Sequence, residues 1–577
     1  MPVAALPAPI RSCAVRPVRT AVPSASAAPP PPAREGRGRL RARPMAGCAA
    51  LLLLLLAPRP AAAQPVDVRG EVFVGSEVER YLRLLQVSGD APLYPWSLRG
   101  LSPREVDRVL PADSARHPWA GRYRMDAGRA DSAGAARRGP RVHPVRPRAR
   151  LIYNSAFPFG GNDGAVWAGR GVTAAVEGGF AAEWGPVSLT VAPMAFVAQN
   201  AGFELMGVAP DAGPLADPRY PRIIDLPQRF GRGAYIRVDP GQSTLRVQAL
   251  GVQAGVSTAD QQWGPASDHP LLLGNNAGGM PHVFVGTAAP AGVGVGRVHG
   301  RMVWGLPGES AWVPDSAGGR RLFVGVVAAF LPRGIPGLEV GGVRLFHLPW
   351  DGGAPGARDL LKPVEGLFKA RLDQDPRGNG NQLASVFFRW VHPRERVELW
   401  GEFARDDHSA TLRDLVLEPD HASAFVLGGR KVWRREGPSL VSLRAEFLNA
   451  RPTHLAQVRE QPAFYVHSGV RQGHTHRGQL LGSPAAFAGA GSVVALEAYG
   501  ARGRWAVEWS RLHRDVGGDL LPTHSDPAVT HALSLERFLF LGAYDVGARV
   551  TGAYELNRNF TEDAFNLNLV LALTRGI

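Results

Sequence analysis

From Arg148 to the C-terminus, apolar residues recur at every second position, and this period of two is the strongest constraint on what the chain can fold into. Val397, Leu399 and Phe403 alternate with Glu398 and Glu402, and Val441, Leu443, Ala445 and Phe447 alternate with Ser442, Arg444 and Glu446. The same pattern runs through Val298, Met302 and Trp304 beside Arg297, His299 and Arg301, and through Tyr544, Val546, Ala548, Val550 and Tyr554 beside Asp545, Arg549 and Thr551. Phe565, Leu567, Leu569, Leu571 and Leu573 form a last strand beside Asn566, Asn568 and Thr574. A soluble β-sandwich would alternate too, but a charge on the second face of strand after strand is costly in a dry core and suits a wet lumen. Beyond the leader the chain has no run of about 18 apolar residues, so any membrane span must be a closed sheet. The expected fold is all-β: a large antiparallel transmembrane barrel over 148–577, of roughly 16 to 18 strands given spans of about 10 residues.

An export signal precedes it. Met45 opens a segment in which six leucines, Leu51 to Leu56, are followed by Ala61-Ala62-Ala63, so 45–63 reads as a signal peptide cleaved after Ala63. Residues 1–44 are low-complexity Pro, Ala and Arg, and Met45 is the expected true start. The leader to Ala63 holds nine arginines against the single acid Glu35, so about half of the net charge of +15 lies outside the mature chain. No basic stripe interleaved with aromatics is left, which argues against nucleic acid. Both cysteines, Cys13 and Cys48, are also in the leader, so the mature chain has no disulfide, thiolate metal site or cysteine nucleophile.

Two helix starts follow. Ser76-Glu77-Val78-Glu79 and Ser102-Pro103-Arg104-Glu105 both fit capping boxes, with Gly89 and Pro111 as stops, giving a small periplasmic helical module at 64–125. Residues 126–147, rich in Ala, Gly, Arg and Pro, read as a linker with few packing residues, so the module is expected to be separable from the barrel.

Three polar stretches carry the candidate chemistry. Gln261, Gln262 and Trp263, followed by Asn275, Asn276 and His282, supply the planar amides and the π face that a sugar site uses, although an ordered turn network has the same composition. Gln472, His474, His476, Arg477 and Gln479 form a second polysaccharide-binding candidate. His474 and His476 would share a face on a strand, yet no third ligand is placed, so neither metal nor other cofactor is expected. His467-Ser468 is no lipolytic pair, because neighbours in sequence point to opposite faces. Asp406, Asp407 and Glu418 could serve a glycan hydrolase, but acids so clustered more often belong to a solvated loop or lumen ion pairs.

At these segments the chain resembles the Wzi family of capsule-assembly outer-membrane proteins. The resemblance spans most of 70–577 and rests on segments 93–102, 225–231, 412–421 and 473–482, on Gln261-Gln262-Trp263-Gly264-Pro265, and on Leu273-Gly274-Asn275-Asn276-Ala277. It departs at Gly278-Gly279, where relatives often carry Arg-Pro, and at Ala266, where Gly is common. The resemblance implies a large barrel with a periplasmic helical bundle; a monomer held in outer-membrane lipid is expected. It would act as a lectin for capsular or exopolysaccharide rather than as an enzyme. A substrate-selective porin is the competing reading, since a charged lumen suffices for one.

Overall fold

The computed structural model describes residues 71–577 apart from 111–116, 118, 120–122, 124–139, 314–318, 366–379, 407–415, 419, 438, 453–462, 519–522 and 577. The signal segment, most of the linker and Asp407 therefore lie outside the described residues.

The alternating segments form one closed antiparallel barrel, sealed where the first strand, Arg141–Asn154, pairs with the last, Glu562–Arg575, from Arg148↔Thr574 to Asn154↔Asn568. Two strands are interrupted, Val187–Val191 continuing as Met194–Ala198 and Tyr235–Asp239 continuing as Thr244–Ala249. His282–Thr287 likewise resumes as Ala291–Gly292 beside the same neighbour, and counting each of these three as one, the described wall has eighteen strands, at the upper end of the expected range. Short turns at 250–251, 393–396, 501–502 and 542–543 close one end, while the long connections lie at the other. Short turns mark the periplasmic end of such barrels, so the long connections are external.

Side-chain direction follows the predicted period. In Val397–Asp406, Leu399 and Phe403 are exposed on the outer wall, and Glu398, Trp400, Glu402, Ala404 and Asp406 are buried inside. Leu443 and Phe447 likewise face out, opposite the buried Ser442, Arg444, Glu446 and Leu448. Exposed Trp184, Trp390, Trp433 and Trp505 lie near the short-turn ends of their strands, where an interfacial girdle places amphipathic rings.

Both predicted helices form. α1 (Glu77–Ser88) starts at Ser76, whose side chain accepts from the Glu79 amide, and ends at Gly89 in the left-handed region. α2 (Pro103–Val109) starts with a complete capping box between Ser102 and Glu105. The expectation of a separable module does not describe its setting, because the helices are wedged into the periplasmic end of the lumen. Tyr81, Leu82, Leu85, Trp96 and Trp119 share one buried cluster with the wall residues Val391, Val432, Leu440, Tyr499 and Phe538. Polar contacts reinforce it. Arg83 meets Glu398 at 2.9 Å, and Glu339 accepts the Trp96 and Ser97 amides at 3.0 and 3.1 Å. The sequence hid this because the wall positions that receive the helices carry the same charges an open lumen would carry.

Glu398 is the densest of these joints, holding Arg83, Arg389 at 2.6 Å and Arg430 at 3.3 Å. Glu398→Ala leaves three buried guanidinium groups around one missing carboxylate, and should cost about 3–5 kcal/mol. Arg83→Met should cost less, since Arg389 and Arg430 keep Glu398 paired. The temperature at which each variant loses its compact gel mobility measures the order; equal temperatures for both would contradict it.

Candidate carbohydrate site at the outer end

Two connections do not stay outside but fold into the lumen. Residues 258–281 and 463–488 contribute Trp263, Leu271, Leu272, Leu273, Phe464, Tyr465, Leu480 and Phe487 to a core completed by Phe323, Leu345, Leu383 and Val426 of the wall. Inward carboxylates hold the irregular backbone of these connections. Glu446 accepts the amides of Ser267, Asp268 and His269 at 2.6–2.8 Å, and Asp406 accepts that of Tyr465 at 2.6 Å. Gly264, at φ 90°, passes so close to Glu402 that a Cβ would sit 2.3 Å from its Oε2, so only glycine fits. A cavity of about 110 Å³ remains between the helices and the inner loop, lined by Glu79, Arg83, Arg99, Arg430, Arg444 and Glu497 among others.

The sequence-derived candidates are brought into this one plug, but mostly as its scaffold. Trp263 is 0% exposed, with its Nε1 donating to Gln261 Oε1 at 3.1 Å, so it offers no open ring face. Gln261 also meets the buried His282 at 2.6 Å. Gln262 donates to the Ala266 carbonyl at 2.8 Å, Asn275 to that of Asn162 at 2.9 Å, and Asn276 to that of Leu480 at 2.9 Å. Gln472 is buried and bonds Glu309 and the Gly319 carbonyl, each at 2.7 Å. His474 bonds His347 at 2.8 Å, whereas His476 accepts the Gly308 amide at 2.9 Å, so the two imidazoles serve different partners. Only Asn276, Arg477 and Gln479 of the set stay partly exposed. Of the acids, Asp406 is a buried backbone acceptor, and Arg405 donates to the Glu418 carbonyl at 3.4 Å.

Beside Arg477 lies a group the sequence reading did not assemble. Phe230 stacks on Tyr235 at 4.9 Å, with Trp167 at 5.0 Å and Trp312 at 5.4 Å from the Phe230 ring. Trp167, Tyr235 and Trp312 are partly exposed. Asn200 fixes this shelf from below, its amide donating to the carbonyls of Phe230, Gly231 and Gly233 at 2.7–3.1 Å. Half-exposed rings beside an arginine and two amides can stack on a sugar ring and bond its hydroxyls. Aromatics in the connections outside the period-two segments were the available signal.

The profile described as capsule assembly protein Wzi matches residues 159–499. The chain belongs to the Wzi capsule-assembly family. A solved structure described as Wzi, an outer-membrane protein involved in group 1 capsule assembly in Escherichia coli and a carbohydrate-binding β-barrel, matches 88% of this chain and 99% of its own, at 15% identity and TM-score 0.58. OccAB3 of Acinetobacter baumannii (10% identity, TM-score 0.37, covering 75% of this chain and 98% of its own) and OccK5 of Pseudomonas aeruginosa (12%, 0.36, 76% and 98%) also match. No curated protein matches the chain in sequence.

The imidazoles of this Wzi-family plug make it sensitive to acid. Burial lowers His269, takes His476 well below its usual range and takes His474 down to about 3. An imidazole held neutral in this way stabilises the plug fully above its unfolded value of about 6.5. That contribution fades as pH falls below it, by about 1.4 kcal/mol per group and pH unit. Asp260, pushed up to about 7 by burial, has the opposite sign: its contribution is present below its unfolded value of about 4 and lost as pH rises through about 7. The strongly lowered His474 and His476, with His269 acting in the same direction, outweigh Asp260 and the carboxyl of Asp225, which burial also raises, so the plug should loosen between about pH 6.5 and pH 4. Hydrogen exchange of amides 463–488, corrected for intrinsic rate, should show less protection at about pH 5 than at about pH 7.5. Equal protection would refute the assignment.

Proposed function

We propose that this outer-membrane barrel is a lectin that binds capsular or exopolysaccharide at the external shelf of Trp167, Tyr235 and Trp312, with Arg477, Gln479 and Asn276 as polar ligands. The observation that carries the reading is the filling of the lumen from both ends, helices below and inner loops above, which leaves the partly exposed aromatic and amide groups at the outer end. Family membership supports it, as does the carbohydrate-binding barrel with the same fold. On this reading the chain is exported with cleavage after Ala63, works as a monomer in outer-membrane lipid without a cofactor, and anchors or helps assemble polymer at the cell surface rather than cleaving it. The residues buried in the plug, among them Gln261, Gln262, Trp263, Asn275, Gln472, His474 and His476, together with His282 of the adjoining wall strand, hold the shape of that surface.

A porin needs an open path, and the packed lumen argues against one. In planar bilayers the mature chain should give little current, and sustained large open-channel currents would favour the porin.

Trp312→Ala should weaken polysaccharide retention on cells by about 1–3 kcal/mol, the range for an aromatic anchor, with unchanged heat-modifiability. Trp263→Ala should instead lower stability by about 3–5 kcal/mol through a buried cavity. A Trp312→Ala protein that folds and holds as much polymer as the parent would remove the shelf from the site.

A further inference from the structure

The barrel wall is incomplete on one side. Strand Val252–Ser257 has six residues, whereas crossing a bilayer as a tilted strand takes about 9–11, and His282–Thr287, which resumes as Ala291–Gly292 towards the periplasmic end, begins level with its upper end at His282↔Ser257. Both stop where the chain turns inward as 258–281. Val252–Ser257 pairs with His282–Thr287 on one edge and, on the other, reaches only the Thr244–Ala249 half of the interrupted strand before it, so the outer stretch Tyr235–Asp239 pairs with Met194–Ala198 on one edge and with no described strand on the other. An unpaired edge in a membrane wall is costly unless something covers it.

A hairpin of the plug covers it. Thr475–His476 pairs with Gln479–Leu480, and the turn is made by Arg477 at φ 50° and Gly478 at φ 81°. Such a turn favours Asn or Gly at its first position, so an arginine there is held against its backbone preference. On one side the Arg477 amide donates to the Gly308 carbonyl at 2.8 Å and the Gly308 amide to His476 at 2.9 Å, which fastens the hairpin to the chain leaving strand Gly296–Gly305. On the other side the links to Tyr235–Asp239 are between side chains: Arg477 to Asp239 at 3.1 Å and Arg237 to Gln479 at 3.4 Å. Asp239 is already held by Arg237 at 2.7 Å and by the Gly241 amide at 2.9 Å. Two guanidinium groups thus share one carboxylate, and Arg477, at 38% exposed, is the accessible one. Ile236 and Val238 flank this place on the lipid face, at 47% and 74% exposed.

We propose that this gap is a side opening in the outer-leaflet half of the wall. Through it the acidic saccharide headgroup of an outer-leaflet glycolipid, bearing phosphate or carboxylate, reaches Arg477 and the shelf of Tyr235 and Trp312. The inference rests on the lectin reading and adds the direction of approach and the lipid-borne form of the ligand. On the Gly308 side the hairpin is held through backbone groups, the Arg477 amide on the Gly308 carbonyl and the Gly308 amide on the His476 imidazole, and on the Asp239 side by side chains alone, so an anionic group competing for Arg477 opens the second side and leaves the first in place.

The test uses the full mature chain in phosphatidylethanolamine nanodiscs with and without lipopolysaccharide, measuring lipopolysaccharide retained per folded protein. Arg477→Gln should lose about tenfold in retention, the scale of one charge-assisted hydrogen bond, and Arg477→Lys should keep most of it. A photo-crosslinking residue at Val238 should capture lipopolysaccharide several-fold more than one at Leu427, an exposed position elsewhere on the wall, and this comparison needs no change at Arg477. Equal retention by Arg477→Gln and the parent, or equal capture at Val238 and Leu427, overturns the side opening. Binding of lipid-free polysaccharide by the unaltered chain, measured alongside, separates the two readings: if it persists in that case the lectin stands without the opening, and if it is absent both fall.

Discussion

The rest of the structure depends on carboxylates that face inward from the wall and are satisfied by donors from the plug. One strand shows the principle. Glu398, Glu402 and Asp406 recur every fourth residue on the inner face of Val397–Asp406 and meet the plug at three levels. The lowest takes Arg83 of α1 and the highest takes the Tyr465 amide, while the middle one takes the wall hydroxyl of Ser385 at 2.6 Å beneath the close pass of Gly264. A carboxylate buried without donors is among the most expensive groups a protein can hold. Wall and plug are therefore mutually required, and a plug swung out of the lumen would strand charge on both sides.

This constraint explains why the lumen is packed although its wall reads as polar. The inward carboxylates are met by arginines, backbone amides and indole N–H groups. Trp400 lies between Arg83, over its ring at 5.0 Å, and Glu446, which accepts its Nε1 at 2.8 Å, so one indole links the helical end to the wall carboxylate that holds the inner loop. The cavity of about 110 Å³ above the helices is bounded by the same charges. On the proposed reading, binding of a large polymer is displaced to the outer rim, where Trp167, Tyr235 and Trp312 remain partly open.

The wall was legible in the sequence because a strand's period of two is a local property: Leu399 and Glu398 declare opposite faces without knowledge of any other strand. The helices were legible for the same reason, since Ser102 and Glu105 cap within one turn. What the inward face meets is not local. Glu398 and Arg83 are 315 positions apart, and nothing near either distinguishes a wet lumen from a filled one. The amides around Trp263 fit two readings at once. Irregular backbone inside a barrel leaves carbonyls without partners, and Gln262, Asn275 and Asn276 supply the missing donors, so a plug scaffold and a sugar site draw on the same residue types.

The difference between scaffold and ligand lies in how many donors each side chain has left to give. The Asn276 amide is placed on the Leu480 carbonyl, and that of Gln479 on the carbonyls of Gly164 and Asn276 at 3.2 Å, so these two bring mainly acceptor capacity to a ligand. Arg477 differs, because its amide is fixed on Gly308 while its guanidinium, with five donors, bonds Asp239 through one nitrogen and is partly exposed. The turn that holds it at φ 50° sets its position, and the short strands that end beside it leave that position unscreened by the wall. Backbone irregularity in the wall and an arginine in an unfavoured turn conformation thus occur at the same place. They are two sides of one local solution, in which the plug completes a surface the strands do not.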